Sequence, residues 1–282
     1  MTRVNSRARR EHVRVGTAGW SLDRALAPGT RHGASGLERY AEYFDTVEIN
    51  STFYRLPRIV TLERWRDSTP ATFRFCVKMP QSITHEAGLI GTRRELASFC
   101  ALVSHLGPKL GPLLVQLPPS LALDRRAAAR FFRDLRAAAP APVVLEPRHP
   151  SWFTSRAEEL LLQQEISRVA ADPARCSGAA EPGGAPRVSY FRWHGSPQMY
   201  FSSYETPLLR SLAQQAGHCH SAGSDVYCIF DNTALGAAAI NAMTLGTELQ
   251  RSLASPRIPQ RSAGSRTAAR QDGSASRPRR TS

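Results

Sequence analysis

Eight short apolar runs punctuate the chain, each giving way to polar residues and a loop. They read VRVGTAGW from Val13, TVEINSTF from Thr46, FRFCVKMP from Phe73 and PLLVQLPP from Pro112. The rest are PVVLEPRH from Pro142, SRVAADP from Ser167, VSYFRWHG from Val188 and DVYCIFDN from Asp225. Short runs rich in Val, Leu, Ile and Phe suit strands of a parallel sheet covered on both faces. Helical spacing lies between them. Leu37, Tyr40, Ala41 and Phe44 fall at i, i+3, i+4 and i+7, as do Leu96, Phe99, Val103 and Leu106. DRRAAARFFRDLRAAA, SRAEELLLQQE, ETPLLRSLAQQA and TALGAAAINAMTL supply four more helices. This alternation predicts an α/β fold, a TIM-type (β/α)8 barrel over residues 13–250. An open doubly wound sheet is the alternative, but no G-x-G-x-x-G follows the first strand. After VAADP the stretch ARCSGAAEPGGAPR is too rich in Gly and Pro for a helix, so the sixth helix is expected to be short or missing.

Side chains alternate faces along a strand, which sorts each run into two sets. Val47 and Ile49 oppose Glu48 and Asn50. Phe75 and Val77 oppose Cys76 and Lys78. Val115 and Leu117 oppose Leu114 and Gln116, and Val143 and Leu145 oppose Val144, Glu146 and Arg148. Val169 and Ala171 oppose Ala170 and Asp172, while Phe191 and Trp193 oppose Tyr190, Arg192 and His194. With the apolar set facing the helices, the polar set faces the lumen near the strands' C-terminal ends, where barrel enzymes keep their sites. The expected convergence is Glu48, Asn50, Lys78, Gln116, Glu146, Arg148, Asp172, Arg192, His194 and Asn232. A packed ion-pair network would be the structural alternative, but burying charge is costly and ten polar positions exceed what packing requires.

Charge changes this picture little. The 282 residues carry a net +14, of which residues 1–12 hold +3 and residues 251–282 hold +7. The body is therefore only mildly basic. The ends read as a flexible basic N-terminus and a disordered Arg/Ser-rich tail. Nucleic acid is a candidate partner through those ends. The five cysteines are odd in number and form no C-x-x-C pair, which reads as reduced thiols in a cytoplasmic protein. No apolar run approaches the ~18 residues of a membrane span, so no membrane partner is expected.

The segments TVEINSTFYRLP, FRFCVKMPQSITH, LVQLPPSL, LEPRHPSWF, FRWHG and FDNTALGAAAINA, in that order, resemble the YecE-like family, also called domain of unknown function 72. The resemblance runs from about Val13 to Leu249. It implies a TIM-type barrel and no particular activity. By position it marks Glu48, Asn50, Phe53, Tyr54, Lys78, His85, Gln116, Glu146, Arg148, His194, Asn232 and Thr233. The chain departs from the family's pattern in three places. SLDRALAPGTRHGASG lacks the family's aromatics, Pro147 replaces a common aromatic, and Asp231 stands where Asn is usual. With Asn232 directed to the lumen, Asp231 would face away.

The chemistry these residues offer is that of a hydrolase or lyase acting on a small polar anionic ligand at the barrel mouth. Glu48 and Glu146 are the candidate acid/base pair, with Lys78 and His194 as further catalytic candidates. Lys78, Arg148 and Arg192 would hold the anion, and Asn50, Gln116 and Asn232 would orient it, with Asp172 a further ligand-binding candidate. Thr233 is a candidate N-cap whose helix start would favour an anion. Phe53, Tyr54, Trp20, Trp152 and Tyr200 could stack a ring. His85 and His149 sit on mouth loops. Of 37 basic residues only Lys78 and Lys109 are lysines, and a lysine, unlike arginine, can lose its proton or form a Schiff base. No cofactor is expected. A divalent metal on Glu48, Glu146, Asp172 and His194 is the less favoured alternative, because neighbouring Lys and Arg compete for the carboxylates. Two readings from other classes stand beside the enzyme: a nucleic-acid-binding or -processing barrel, and a ligand-binding module without turnover.

Overall fold

The structure, a computed structural model, describes residues 13–22 and 34–254. The basic N-terminus, most of the stretch after Trp20 and the tail from residue 255 lie outside the described residues.

All eight apolar runs form strands: β1 (Arg14–Ala18), β2 (Thr46–Ile49), β3 (Arg74–Lys78), β4 (Leu110–Gln116) and β5 (Val143–Glu146). They continue as β6 (Ser167–Arg168) with β7 (Ala170–Asp172), then, after the short β8 (Gly183–Gly184), β9 (Val188–Trp193) and β10 (Asp225–Phe230). The sheet order is β7-β9-β10-β1-β2-β3-β4-β5-β6-β8. Every pairing is parallel except the short antiparallel β6–β8 pair. The sixth stave is divided: its first half pairs with β5 and its second with β9, so one run of chain meets both edges and closes a TIM-type barrel. β1 and β2 approach so closely that a Cβ on Gly16 would lie 2.1 Å from the Thr46 carbonyl oxygen, which requires glycine there.

The helices are α1 (Gly36–Ala41), α2 (Ile59–Asp67), α3 (Arg93–Val103), α4 (Arg125–Ala138), α5 (Ser155–Gln163), α6 (Thr206–Ser221) and α7 (Ala237–Ala254). Ser35 and Glu38 form a capping box on α1, and Asp124 and Thr154 cap α4 and α5. As expected, no helix fills residues 173–187 among the described residues; β8 and loops occupy that span. α2 was not marked by the apolar pattern, because only Leu62 of its residues is buried. α7 runs past residue 250, the expected end of the body.

Two apolar layers follow from strand parity. Val47, Ile49, Phe75, Val77, Val115, Leu145 and Phe191 belong to the large core between sheet and helices. Cys76, Leu114, Val144, Val169, Val188, Tyr190, Tyr227 and Ile229 fill the lumen. Burial there pushes the Cys76 thiol up to about 12. This apolar plug seals the barrel from below, and the polar side chains stand above it, toward the strands' C-terminal ends.

The sixth stave has the opposite parity from the one its sequence suggested. Val169 points into the lumen and Ala170 into the outer core. Asp172 therefore faces outward, where its carboxylate accepts a 2.7 Å hydrogen bond from the Tyr204 hydroxyl. The eighth stave is also turned: Tyr227 and Ile229 are inward, so Asp231 is inward and Asn232 is not. Asn232 donates to the Ser202 carbonyl at 2.9 Å and to Asn241 Oδ1 at 2.8 Å. Helix α7 starts at Ala237, so Thr233 is an exposed loop residue rather than its N-cap.

Candidate active site

The carboxylate inside the second strand has an arginine for a partner. Glu48 is fully buried, and Arg192 from β9 binds it side-on, with Nη2 at 2.8 Å from Oε1 and Nε at 3.1 Å from each oxygen. The Tyr190 hydroxyl donates to Oε2 at 2.7 Å. The same guanidinium reaches Glu146 Oε2 through Nη1 at 2.9 Å and lies 2.9 Å from Asp231 Oδ2 through Nη2. One buried cation thus gathers three carboxylates from three staves. Burial alone would lower its pKa, but the charges of Asp231, Glu48 and Glu146 hold it well above the usual arginine value.

Glu146 is held as a carboxylate from every side. Its Oε1 accepts from Gln116 Nε2 at 2.9 Å and Arg148 Nε at 3.1 Å, and lies 3.1 Å from His194 Nε2. Burial would raise its pKa; Arg192 and His194 together pull it well below the usual range. His194 stands between two acids, with Nδ1 3.0 Å from Asp231 Oδ2. Burial opposes its charge, but Glu146 and the hydrogen bonds to both acids raise its pKa, so the imidazolium is favoured. Asp231, which the sequence reading turned away from the lumen, is part of this network. Its pKa would be raised by burial and is lowered by Arg192 and His194.

Lys78 stands apart. In register Glu48 is level with Cys76, so Lys78 sits two residues, roughly 6–7 Å, nearer the mouth. Its Nζ lies 4.1 Å over the centre of the Phe53 ring and makes no salt bridge or hydrogen bond among the described residues. Burial, then the charge of Arg192, lower its pKa to about 8, against the pull of Glu48, Glu146 and Asp231. Two polar atoms at the C-terminal ends of the strands lack hydrogen-bond partners among the described residues: Asn50 Oδ1 and Arg148 Nη2 are both buried and unbonded. Arg148 Nη2 is 3.1 Å from Glu146 Oε1, close enough for an ion pair but not aimed as a hydrogen bond. The Asn50 amide donates to Asp231 Oδ1 at 3.4 Å. Unsatisfied buried polar atoms are rare in folded proteins and mark places where a ligand or water completes the set.

His85 completes the rim. Its ring packs edge-on against Phe53, with centroids 4.9 Å apart, and its Nδ1 is 2.8 Å from the Thr84 hydroxyl. Burial and the charges of Lys78 and Arg148 lower its pKa, which favours the neutral imidazole. Tyr54 is 77% exposed and packs on Phe53, and Tyr200 stands edge-on to His194. A small pocket beside His194 is lined by Glu146, Arg148, Ala171, Arg175 and Met199.

The structure therefore brings together Glu48, Asn50, Phe53, Tyr54, Lys78, Gln116, Glu146, Arg148, Arg192 and His194 of the expected residues, and leaves out Asp172, Asn232 and Thr233. Trp20 packs on Trp65 and Trp152 is buried in the core, so neither lines the mouth. His149 caps the turn at Ser151. Among the described residues no group of three or more His, Cys, Asp or Glu side chains is arranged to hold a metal ion. No described helix is long and apolar enough to cross a membrane.

Comparison with known proteins follows the same line. A family model described as "Protein of unknown function DUF72" matches residues 14–263. The UPF0759 protein YecE of Escherichia coli (strain K12) is 33% identical over 177 residues, 60% of this chain and 62% of that relative. The match thus spans less than two thirds of YecE. The UPF0759 protein YunF of Bacillus subtilis (strain 168) is 26% identical over 262 residues, 81% of this chain and 92% of that protein. A DUF72 family protein of Enterococcus faecalis V583 superposes with a TM-score of 0.73 at 21% identity, covering 85% of this chain and 96% of that one.

Proposed function

The chain belongs to the DUF72 family, whose fold brings no activity with it, and from the site itself we propose that the protein is a lyase acting on a small anionic substrate at the barrel mouth. The observation that carries this reading is Lys78, an amine without a carboxylate partner in a site where every inward carboxylate is already held by Arg192, Arg148 or His194. Lys78 supplies the reactive amine in this scheme. Arg148 Nη2 and the Asn50 amide oxygen bind the substrate's polar groups. His85 Nε2 serves as the proton carrier, since its Nδ1 is engaged by Thr84. Glu48 and Glu146 are read as fixed carboxylates rather than as an acid/base pair. Four donors on Glu146 favour its ionised form, and on Glu48 a side-on guanidinium and a phenol occupy both oxygens.

The test is binding followed by turnover. Phosphate and small 2-oxo acids should raise the melting temperature of the wild type, and Lys78→Met or Arg148→Met should lose that rise. The 2-oxo acids alone should be consumed, with carbon–carbon cleavage products visible by NMR. Equal responses of the wild type and both variants would remove the reading. A second reading, single-stranded nucleic acid on the rim, is favoured by exposed Tyr54 and Phe201 on mouth loops. It predicts binding of an oligonucleotide that weakens steeply with salt and falls on Tyr54→Ala.

A further inference from the structure

The two lysines of the chain can now be compared. Against 35 arginines, each is a position where the other basic residue did not serve. For Lys109 the reason is geometric. Its Nζ donates to the carbonyls of Arg66 and Thr69 and to Thr69 Oγ1, three acceptors clustered at the C-terminal end of α2. A compact ammonium with three donors fits that cluster and a planar guanidinium does not. Lys78 has no such cluster. Its Nζ faces an aromatic ring, which would accept a guanidinium at least as well. What an ammonium offers there and a guanidinium cannot is a free electron pair.

We propose that Lys78 forms a covalent imine with a small oxo acid, a step that deepens the lyase reading above and rests on it. The neutral amine attacks the carbonyl carbon, and the nitrogen's proton passes to the carbonyl oxygen. His85 Nε2, having taken up the proton the Lys78 ammonium lost, returns it to the resulting hydroxyl as the carbon–oxygen bond breaks, so water leaves and the nitrogen becomes a protonated imine. In a 4-hydroxy-2-oxo acid His85 Nε2 takes the 4-hydroxyl proton as the C3–C4 bond breaks, and C4 departs as an aldehyde. The bond's electron pair moves through C3 and C2 to the iminium nitrogen, giving an enamine whose C3 takes that proton back from His85. Hydrolysis of the imine returns the amine. The surroundings suit each stage. The Phe53 face offers no oxygen to hold the amine as a salt-bridged ammonium. Arg148 Nη2 supplies a donor engaged in no hydrogen bond among the described residues for the substrate carboxylate, and His85 shares the Phe53 ring with Lys78.

Glyoxylate with cyanoborohydride tests this directly, because reduction of its imine leaves carboxymethyl-lysine that peptide mapping locates. At pH 8 the folded protein should label at Lys78 on the order of tenfold or more faster than the urea-unfolded chain, whose lysine is almost wholly protonated. Labelling should saturate with glyoxylate and fall in Arg148→Met. Labelling of Lys78 no faster in the folded than in the unfolded protein overturns the proposal. The melting-temperature response to phosphate, read on the same samples, separates the two ideas. If it persists in wild type and fails in Lys78→Met while no label appears, imine formation is wrong and the anion site stands. If neither appears, both fall.

Discussion

Replacing Lys78 by Met should make the fold more stable at pH 7, and the gain should disappear in alkali. The side chain is held where its ammonium is poorly solvated and has no carboxylate partner, and its pKa falls from 10.5 to about 8. At about 1.36 kcal/mol per pKa unit this amounts to ~3 kcal/mol against the folded state when the lysine is protonated both folded and unfolded. Partial contact with water makes that a ceiling. The sign follows from the order of titration. Below pH 8 both states carry the proton and the penalty is complete. Between pH 8 and 10.5 the folded state sheds the proton while the unfolded chain keeps it, so wild-type stability rises with pH relative to the variant. Above 10.5 neither is charged and the penalty has gone. Urea unfolding of wild type and Lys78→Met at pH 7, 9 and 11 reads the difference directly, and the comparison cancels the other titrating groups. A variant less stable than wild type at pH 7, or a gap that does not shrink by pH 11, refutes the reasoning.

Arg192→Met strips the counter-charge from Glu48, Glu146 and Asp231 together, so it should cost at least the ~3–5 kcal/mol of one broken buried ion pair, with partial recovery when Glu48→Gln is added; a loss under ~1 kcal/mol in urea unfolding would contradict this hub. His194, with its raised pKa, should add stability that is complete below the unfolded value near 6.5 and lost as pH rises through the folded value; the gap between wild type and His194→Asn should therefore narrow with rising pH. Lys109→Met leaves carbonyls at the end of α2 unpaired and should cost about 1–3 kcal/mol, with faster amide exchange there and no rescue by Lys109→Arg.

The strands whose two faces differ sharply in polarity were readable. In β2, β5 and β9 a charged residue alternates with Val, Ile, Leu or an aromatic, and Glu48, Glu146, Arg192 and His194 all point where that alternation sends them. The sixth and eighth staves have apolar residues on both faces. Val169 against Ala170, and Ile229 against Phe230, give no polarity contrast, so Asp172 was placed inside and Asp231 outside when the reverse holds. Helix α2 lacked a stripe because it buries only Leu62. Pairing was not legible at all. Parity brings Lys78, Arg148 and Arg192 to one lumen, but their depth along it decides that Arg192 serves Glu48 and that Lys78 is left without an acid.

The divided sixth stave makes the barrel a ring with a clasp. Two residues of β6 grip one side and three of β7 grip the other, with Val169 as the pin between them. Every other joint is a ladder between two separate strands, whereas here a single short segment carries both halves of the join. Because Ala171 lines the small pocket beside Glu146 and His194, the fastening also forms part of that pocket's wall. Loosening the clasp would thus disturb the wall against which Glu146 and His194 are set.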